Sequence, residues 1–203
     1  MGASKKALLV FGLLAVCAAT GIVVALRPFE VVQIGYNIVP PAQASAEVES
    51  SRVYVLTDRS YYYSVINDLR RANSSIYVVM YSMIYDPEDP FDWANDLIRG
   101  LVNAKKRGVD VKVVIEYRTY YGYMSDNLKA HEYLSSNGVS VKLDQENDTD
   151  HLKLVVVDGK IVYVGSHNWS EAALYYNREA SIKVVSEEVA RQFLEYLKSN
   201  YGF

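Results

Sequence analysis

The stretch His151-Leu-Lys153-Leu-Val-Val-Val-Asp158-Gly159-Lys-Ile-Val-Tyr-Val-Gly165-Ser166-His167-Asn168 holds two β-branched runs separated by Asp158-Gly159. An Asp-Gly pair between such runs predicts a β-hairpin with a two-residue turn. In that register Ser166 lies opposite His151 and Val164 opposite Lys153. Directly opposed residues share a face of the sheet, as do residues two apart along one strand. His151, Lys153, Ser166 and Asn168 are therefore expected to converge on one face, with His167 on the other as a structural residue. Asp158 falls at the turn, about 23 Å from His151 at strand rise, and is expected to be structural as well.

An imidazole, an ammonium, a hydroxyl and a carboxamide gathered in one place suit a tetrahedral anion. The imidazole can attack or carry a proton while the other groups donate to non-bridging oxygens, so phosphate is the natural ligand. Asn168-Trp169-Ser170-Glu171 also reads as the opening of a short helix, whose free N–H groups would add to anion binding. Gly165-Ser166-His167-Asn168 lacks the second glycine of a serine-hydrolase nucleophile elbow, which excludes that chemistry.

The spacing His151-x-Lys153-x4-Asp158-x6-Gly165-Ser166-x-Asn168 resembles the signature of the phospholipase D superfamily, and residues 52–203 resemble its small single-motif nucleases in element order, including Asn177-Arg178-Glu179 downstream. The resemblance implies a phospholipase D-like α/β sandwich and a phosphodiesterase that needs no metal or other cofactor. It implies His151 as the nucleophile that forms a phosphohistidine, Lys153 and Asn168 as phosphate-binding residues, Ser166 as a supporting residue and Glu179 as the group that orients an imidazole. Because the motif occurs once, it also implies a homodimer in which two His151 side chains face each other, one attacking and one acting as general acid. An endonuclease acting on DNA or RNA is the first expectation. A phospholipase D-type hydrolase of membrane lipid, such as cardiolipin, is the alternative.

Outward from the motif, helical and strand periodicities alternate. Strands are expected at Arg52–Thr57, Ser75–Ile84, Val109–Glu116, Ser140–Leu143 and Ala180–Val185, and helices at Tyr61–Ala72, Phe91–Arg107, Ser125–Ser136 and Glu187–Ser199. Such alternation predicts helices flanking a central, largely buried sheet. At the N-terminus, Ala7 to Leu26 carries no charge, and twenty helical residues span roughly 30 Å, the thickness of a bilayer core. Residues 1–27 are expected to be a membrane anchor, with a cleaved signal peptide as the alternative. Lys5 and Lys6 before the segment against Arg27 after it favour an exported body. Pro28, Pro40, Pro41 and the run Ala42 to Ser51 mark residues 28–51 as a linker.

The 203 residues carry 21 Lys and Arg against 24 Asp and Glu. Without Lys5, Lys6 and Arg27 the body holds 18 basic residues and all 24 acidic ones, so nucleic acid is not bound through a general basic excess. Cys17 is the only cysteine, which excludes an intrachain disulfide and a cysteine-based zinc site. Asp144, Glu146, Asp148 and Asp150 alternate like the start of a calcium loop, but Thr149 replaces the required glycine and Val155 the final acid. Of the 18 tyrosines, Tyr120 and Tyr121 follow a strand, where α/β sites open, and are candidate substrate contacts.

Overall fold

β-branched side chains pack well on a pleated surface, and the valine-rich segments of this chain become its strands. The computed structural model describes residues 23–27, 30–34, 51–117, 125–144 and 149–203, in two units that divide after Ala46. In the first unit β1 (Val23–Arg27) pairs antiparallel with β2 (Glu30–Ile34), with Val23 opposite Ile34 and Arg27 opposite Glu30. This corrects the expectation at two points: the last residues of the predicted membrane helix form a strand, and so does part of the predicted linker. Val23, Val24, Val31, Val32 and Ile34 supply the β-branched residues that favour pairing over a helix. Residues 7–22 of the predicted anchor lie outside the described residues, and among the described residues no helix is long and apolar enough to cross a membrane.

The second unit contains β3 (Arg52–Thr57), α1 (Ser60–Arg71), β4 (Ser75–Met80), α2 (Trp93–Lys106), β5 (Asp110–Glu116), α3 (Ser125–Ser136), β6 (Ser140–Asp144), β7 (Lys153–Val157), β8 (Ile161–Gly165), β9 (Ala180–Val185) and α4 (Glu187–Tyr201). The strands form one seven-stranded sheet in the order β3-β9-β8-β7-β4-β5-β6. β4, β5 and β6 run parallel, and the remaining neighbours are antiparallel. Val65, Leu69, Leu97, Leu101, Ala130 and Leu134 from α1, α2 and α3 bury one face of the sheet. Val189, Ala190, Phe193, Leu194 and Leu197 from α4 cover Leu154, Val156 and Val162 on the other. Coverage on both faces explains why all five residues of β7 are buried and why it reads as a continuous apolar run after Lys153.

The expected turn at Asp158-Gly159 is present, with φ of 52° and 60°, a left-handed pair that glycine adopts without strain. The expected register is not. Leu154 pairs with Val164 and Val157 with Ile161, one residue away from the predicted alignment. Lys160 donates its amide to Val157 O at 3.1 Å and gives its carbonyl to Ser186 N at 2.8 Å, so it stands out of the ladder as a bulge. Strand alternation in the hairpin therefore does not place Ser166 opposite His151.

Asp158 acts as a structural clamp. Its carboxylate accepts hydrogen bonds from Asn73 N (3.1 Å), Ser74 N (2.8 Å), Ser74 Oγ (2.9 Å) and Ser75 N (3.0 Å), tying the hairpin turn to the entry of β4. Burial disfavours its charge, but the bonds from Ser74, Ser75 and Asn73 outweigh that and hold the carboxyl below its ordinary value. Asp158→Ala is expected to cost about 3 kcal/mol and to lower Tm by roughly 6–12 °C for a domain of this size. Kinetics measured well below Tm should be close to wild type. The carboxylate's contribution is complete above the unfolded pKa of about 4 and is lost as pH falls through the lower folded value, so the difference in Tm should narrow in acid.

Candidate active site

All of the chemistry-bearing residues lie at one end of the sheet, where β4, β5, β6, β8 and β3 end and β7 and β9 begin. β4 extends past its ladder there. Tyr81 N bonds Leu152 O at 2.8 Å, Trp169 N bonds Ser82 O at 3.0 Å and Ile84 N bonds Trp169 O at 2.8 Å. This extension links the His151 segment to the Asn168 segment and replaces the alignment expected from the hairpin.

His151 is exposed, with its ring centroid 4.5 Å from that of Tyr81. Partial burial and then the charge of Lys153 lower its pKa, which favours the neutral imidazole. Lys153 is only 6% exposed. Its Nζ donates to His151 O at 3.0 Å and sits 4.7 Å from the centre of the Tyr81 ring, so one aromatic side chain steadies both groups. Burial pushes the Lys153 pKa down, opposed by the carboxylate of Glu179.

Ser166 accepts a hydrogen bond from Ala180 N at 3.0 Å and its hydroxyl donates to Glu179 Oε2. Asn177 Nδ2 donates to the other oxygen of Glu179 at 3.2 Å. The serine and the asparagine thus orient Glu179, which acts on Lys153 through its charge. Within one chain the described hydrogen bonds of this carboxylate go to Ser166 and Asn177 and not to His151. Asn168 is half-buried next to Trp169, and its Oδ1 is buried without a partner among the described residues.

His167 is fully buried and stacks on Tyr61 with centroids 4.3 Å apart. Its Nε2 lies 3.0 Å from Asp58 O, a group that only accepts, so Nε2 carries the proton and Nδ1 accepts from Ser181 Oγ at 2.7 Å. The expected structural role is therefore met, with both ring nitrogens occupied. The short helix expected from Asn168 begins later, as a single π-helical turn over Ala172–Tyr176. Trp169 N bonds Ser82 O, and Ala173 N and Leu174 N bond Ser170, so these amides are not free for an anion. Tyr120 and Tyr121 lie outside the described residues. Among the described residues no group of three or more His, Cys, Asp or Glu side chains is arranged to hold a metal ion.

Residues 65–201 match the family described as cardiolipin synthase, phospholipase D-like domain. The chain belongs to the phospholipase D superfamily. The phospholipase D-like chain is 34% identical over 115 residues to a mitochondrial cardiolipin hydrolase of Xenopus tropicalis, covering 53% of each chain. It is 30% identical over 132 residues to a phospholipase D of Rickettsia felis, covering 64% of this chain and 59% of that one. It thus spans a little over half the length of these relatives. Among solved structures, Nuc of Salmonella typhimurium, a phospholipase D family member, superposes with a TM-score of 0.64 at 30% identity, over 75% of this chain and 95% of that one. NucT of Helicobacter pylori shares the fold, with a TM-score of 0.58 at 21% identity.

The phospholipase D-like site also contains residues that the motif does not name. Tyr81 is one. Glu116, at the end of β5, accepts Asp150 N at 2.6 Å and holds the chain as it enters His151. Asp150 itself is pushed up to about 6, first by burial and further by its acidic neighbours Asp144 and Glu116, against a hydrogen bond from Tyr201. Glu116 lay at an expected strand end, where α/β sites open, whereas Tyr81 fell inside the expected strand Ser75–Ile84, which in the structure ends at Met80.

Proposed function

We propose that this domain is a metal-independent phosphodiesterase that hydrolyses DNA or RNA through a phosphohistidine at His151. The observation that carries the reading is the exposed, neutral imidazole of His151 held against Tyr81, with the Lys153 ammonium fixed beside it. In the first step a His151 nitrogen attacks phosphorus, a P–N bond forms and the P–O bond to the leaving group breaks. The leaving oxygen takes a proton from the imidazolium of His151 of a second copy in a homodimer. In the second step that imidazole removes a proton from water, the water oxygen attacks phosphorus and the P–N bond breaks. Lys153 and Asn168 hold the non-bridging oxygens, while Ser166 keeps Glu179 in place to balance the charge of Lys153 and orient an imidazole.

A specific observation supports a second reading, hydrolysis of a phospholipid: the similarity to relatives named as cardiolipin hydrolases. Membrane attachment through the uncharged residues 7–22 belongs to either reading. Parallel assays on single-stranded DNA, duplex DNA, RNA and cardiolipin vesicles separate the two. Cleavage of an oligonucleotide with at least ten-fold higher kcat/KM than cardiolipin supports the nucleic-acid reading, and the reverse order replaces it.

The same assays test the chemistry. Activity is expected to survive excess EDTA, because Lys153 and the imidazoles supply the positive charge at the phosphate; loss that a divalent ion restores would overturn this. The pH dependence of kcat/KM should be bell-shaped, since one imidazole must be neutral and its partner protonated. Burial and Lys153 lower the His151 pKa, so the limb that rises with pH should lie below the ordinary imidazole value of about 6.5. A rate that rises throughout from about pH 5 to 9 would argue against the pair.

A further inference from the structure

Beside the catalytic end of the sheet lies a groove of about 460 Å³, lined by Thr57–Ser60 on one side and Tyr175–Arg178 on the other. Its walls are held by specific bonds. Asp58 exchanges backbone hydrogen bonds with Glu179, donating its amide to Glu179 O at 3.0 Å and accepting Glu179 N on its carboxylate at 3.1 Å. The same carboxylate pairs with Arg178 at 3.0 Å, while the Arg178 side chain stays 94% exposed. Across the groove the Arg59 guanidinium lies 4.0 Å from the centre of the Tyr175 ring and donates from Nε to Tyr175 O at 3.2 Å. Its two terminal nitrogens have no acceptor among the described residues.

Aromatic rings continue the surface. Tyr176 meets Tyr175 edge-on at 5.0 Å, and Tyr175 meets Trp93 edge-on at 5.0 Å. Trp93 stacks on Tyr62 at 4.3 Å, so the ladder is anchored in the helices beneath. Tyr176, at its outer end, is 68% exposed. Two guanidiniums with free donors beside an open aromatic ring match a phosphate followed by a flat heterocycle. The groove shares a wall with the catalytic site, because Glu179, which Ser166 and Asn177 orient, is the residue directly after Arg178.

We propose that this groove is a subsite for the nucleotide next to the scissile phosphate, with Arg59 and Arg178 binding the neighbouring phosphate and Tyr176 stacking on its base. The assignment rests on the nucleic-acid reading above and extends it to residues outside the motif. A lipid headgroup could engage the arginines but has no planar base for Tyr176, so the aromatic ring favours nucleic acid.

The test uses the full chain and two substrates: a single-stranded DNA oligonucleotide, and bis(p-nitrophenyl) phosphate, a diester without a second phosphate. The variants are Arg59→Ala with Arg178→Ala, Tyr176→Ala and Tyr176→Phe, each checked by thermal unfolding. The double arginine variant should lower the ratio of kcat/KM for the oligonucleotide to that for the small diester by about thirty-fold, chiefly through KM. It should also reduce the salt dependence of log kcat/KM by about 1.4, the value for two lost contacts to a single strand. Tyr176→Ala should lower the ratio about ten-fold, and Tyr176→Phe should restore it. Ratios that do not change, or both substrates falling together, would overturn the subsite while leaving the nucleic-acid reading intact. Wild-type protein that turns over the small diester and cardiolipin vesicles but no oligonucleotide would overturn that reading and the subsite with it.

Discussion

His151→Ala is expected to lower kcat by about 10⁴-fold or more, because it removes both the nucleophile and the general acid of a shared site. The fold should be unaffected. The side chain is exposed, and the backbone bonds of residue 151, its amide to Thr149 O and its carbonyl from Lys153 Nζ, do not depend on the imidazole. Thermal unfolding and circular dichroism should therefore match wild type while turnover disappears. Mixing gives a sharper test. If one site needs two copies of His151, wild-type chains exchanged with His151→Ala chains should lose activity as the square of the wild-type fraction, since either residue missing from a dimer inactivates it. A linear loss after verified subunit exchange would place the complete acid–base pair within one chain. Residual activity within ten-fold of wild type would show that another group is the nucleophile, and His167 could not serve without leaving its buried bonds to Ser181 and Asp58.

Gly165→Ala is expected to lower Tm by roughly 6–12 °C, from a steric cost of about 3 kcal/mol, and to reduce kcat about 100-fold. A methyl group at this position would collide with the side chain and Cα of Ser181 and would lie 2.5 Å from the carbonyl oxygen of Ala180. Backbone atoms cannot rotate away, so the Gly165–Ser181 pair that joins β8 to β9 must open. That junction also carries the bond from Ser166 N to Ala180 O and the bond from Ser181 Oγ to His167, which places Ser166, Glu179 and the buried histidine in one strained region. The glycine of the motif is thus required by close backbone approach and not by any chemistry of its own. A Gly165→Ala protein that melts within 2 °C of wild type and keeps full turnover would refute this account.

The elements of the second unit were legible because their causes are local. The helix at Ser125–Ser136 and the strands at Arg52–Thr57 and Ala180–Val185 lie where the periodicity predicts them, since amphipathic spacing and β-branched runs act within a few residues. The family motif from His151 to Asn168 was legible for another reason: its residue types and intervals are specific enough to point to the phospholipase D superfamily without a structure. The hairpin register was not legible. A two-residue left-handed turn predicts one alignment, but Lys160 leaves the ladder because Ser186, 26 positions later in the numbering, takes its carbonyl. Nothing within the hairpin itself encodes that bond.

The sequence by itself determined the order of strands and helices in the second unit, the structural position of Asp158 at a turn and the chemical identity of His151, Lys153, Ser166, Asn168 and Glu179, because backbone propensity and functional-group chemistry belong to individual residues and their near neighbours. Only the tertiary structure decided how those groups meet. The extension of β4 brings Tyr81 against both His151 and Lys153, Ser166 and Asn177 turn Glu179 toward the ammonium, and His167 is withdrawn beneath Tyr61. The contacts made by Tyr81 and Tyr61 join segments far apart in the chain. They depend on which strands lie side by side in the sheet, and that order is set by burying both of its faces at once, a property of the whole domain and of no single segment.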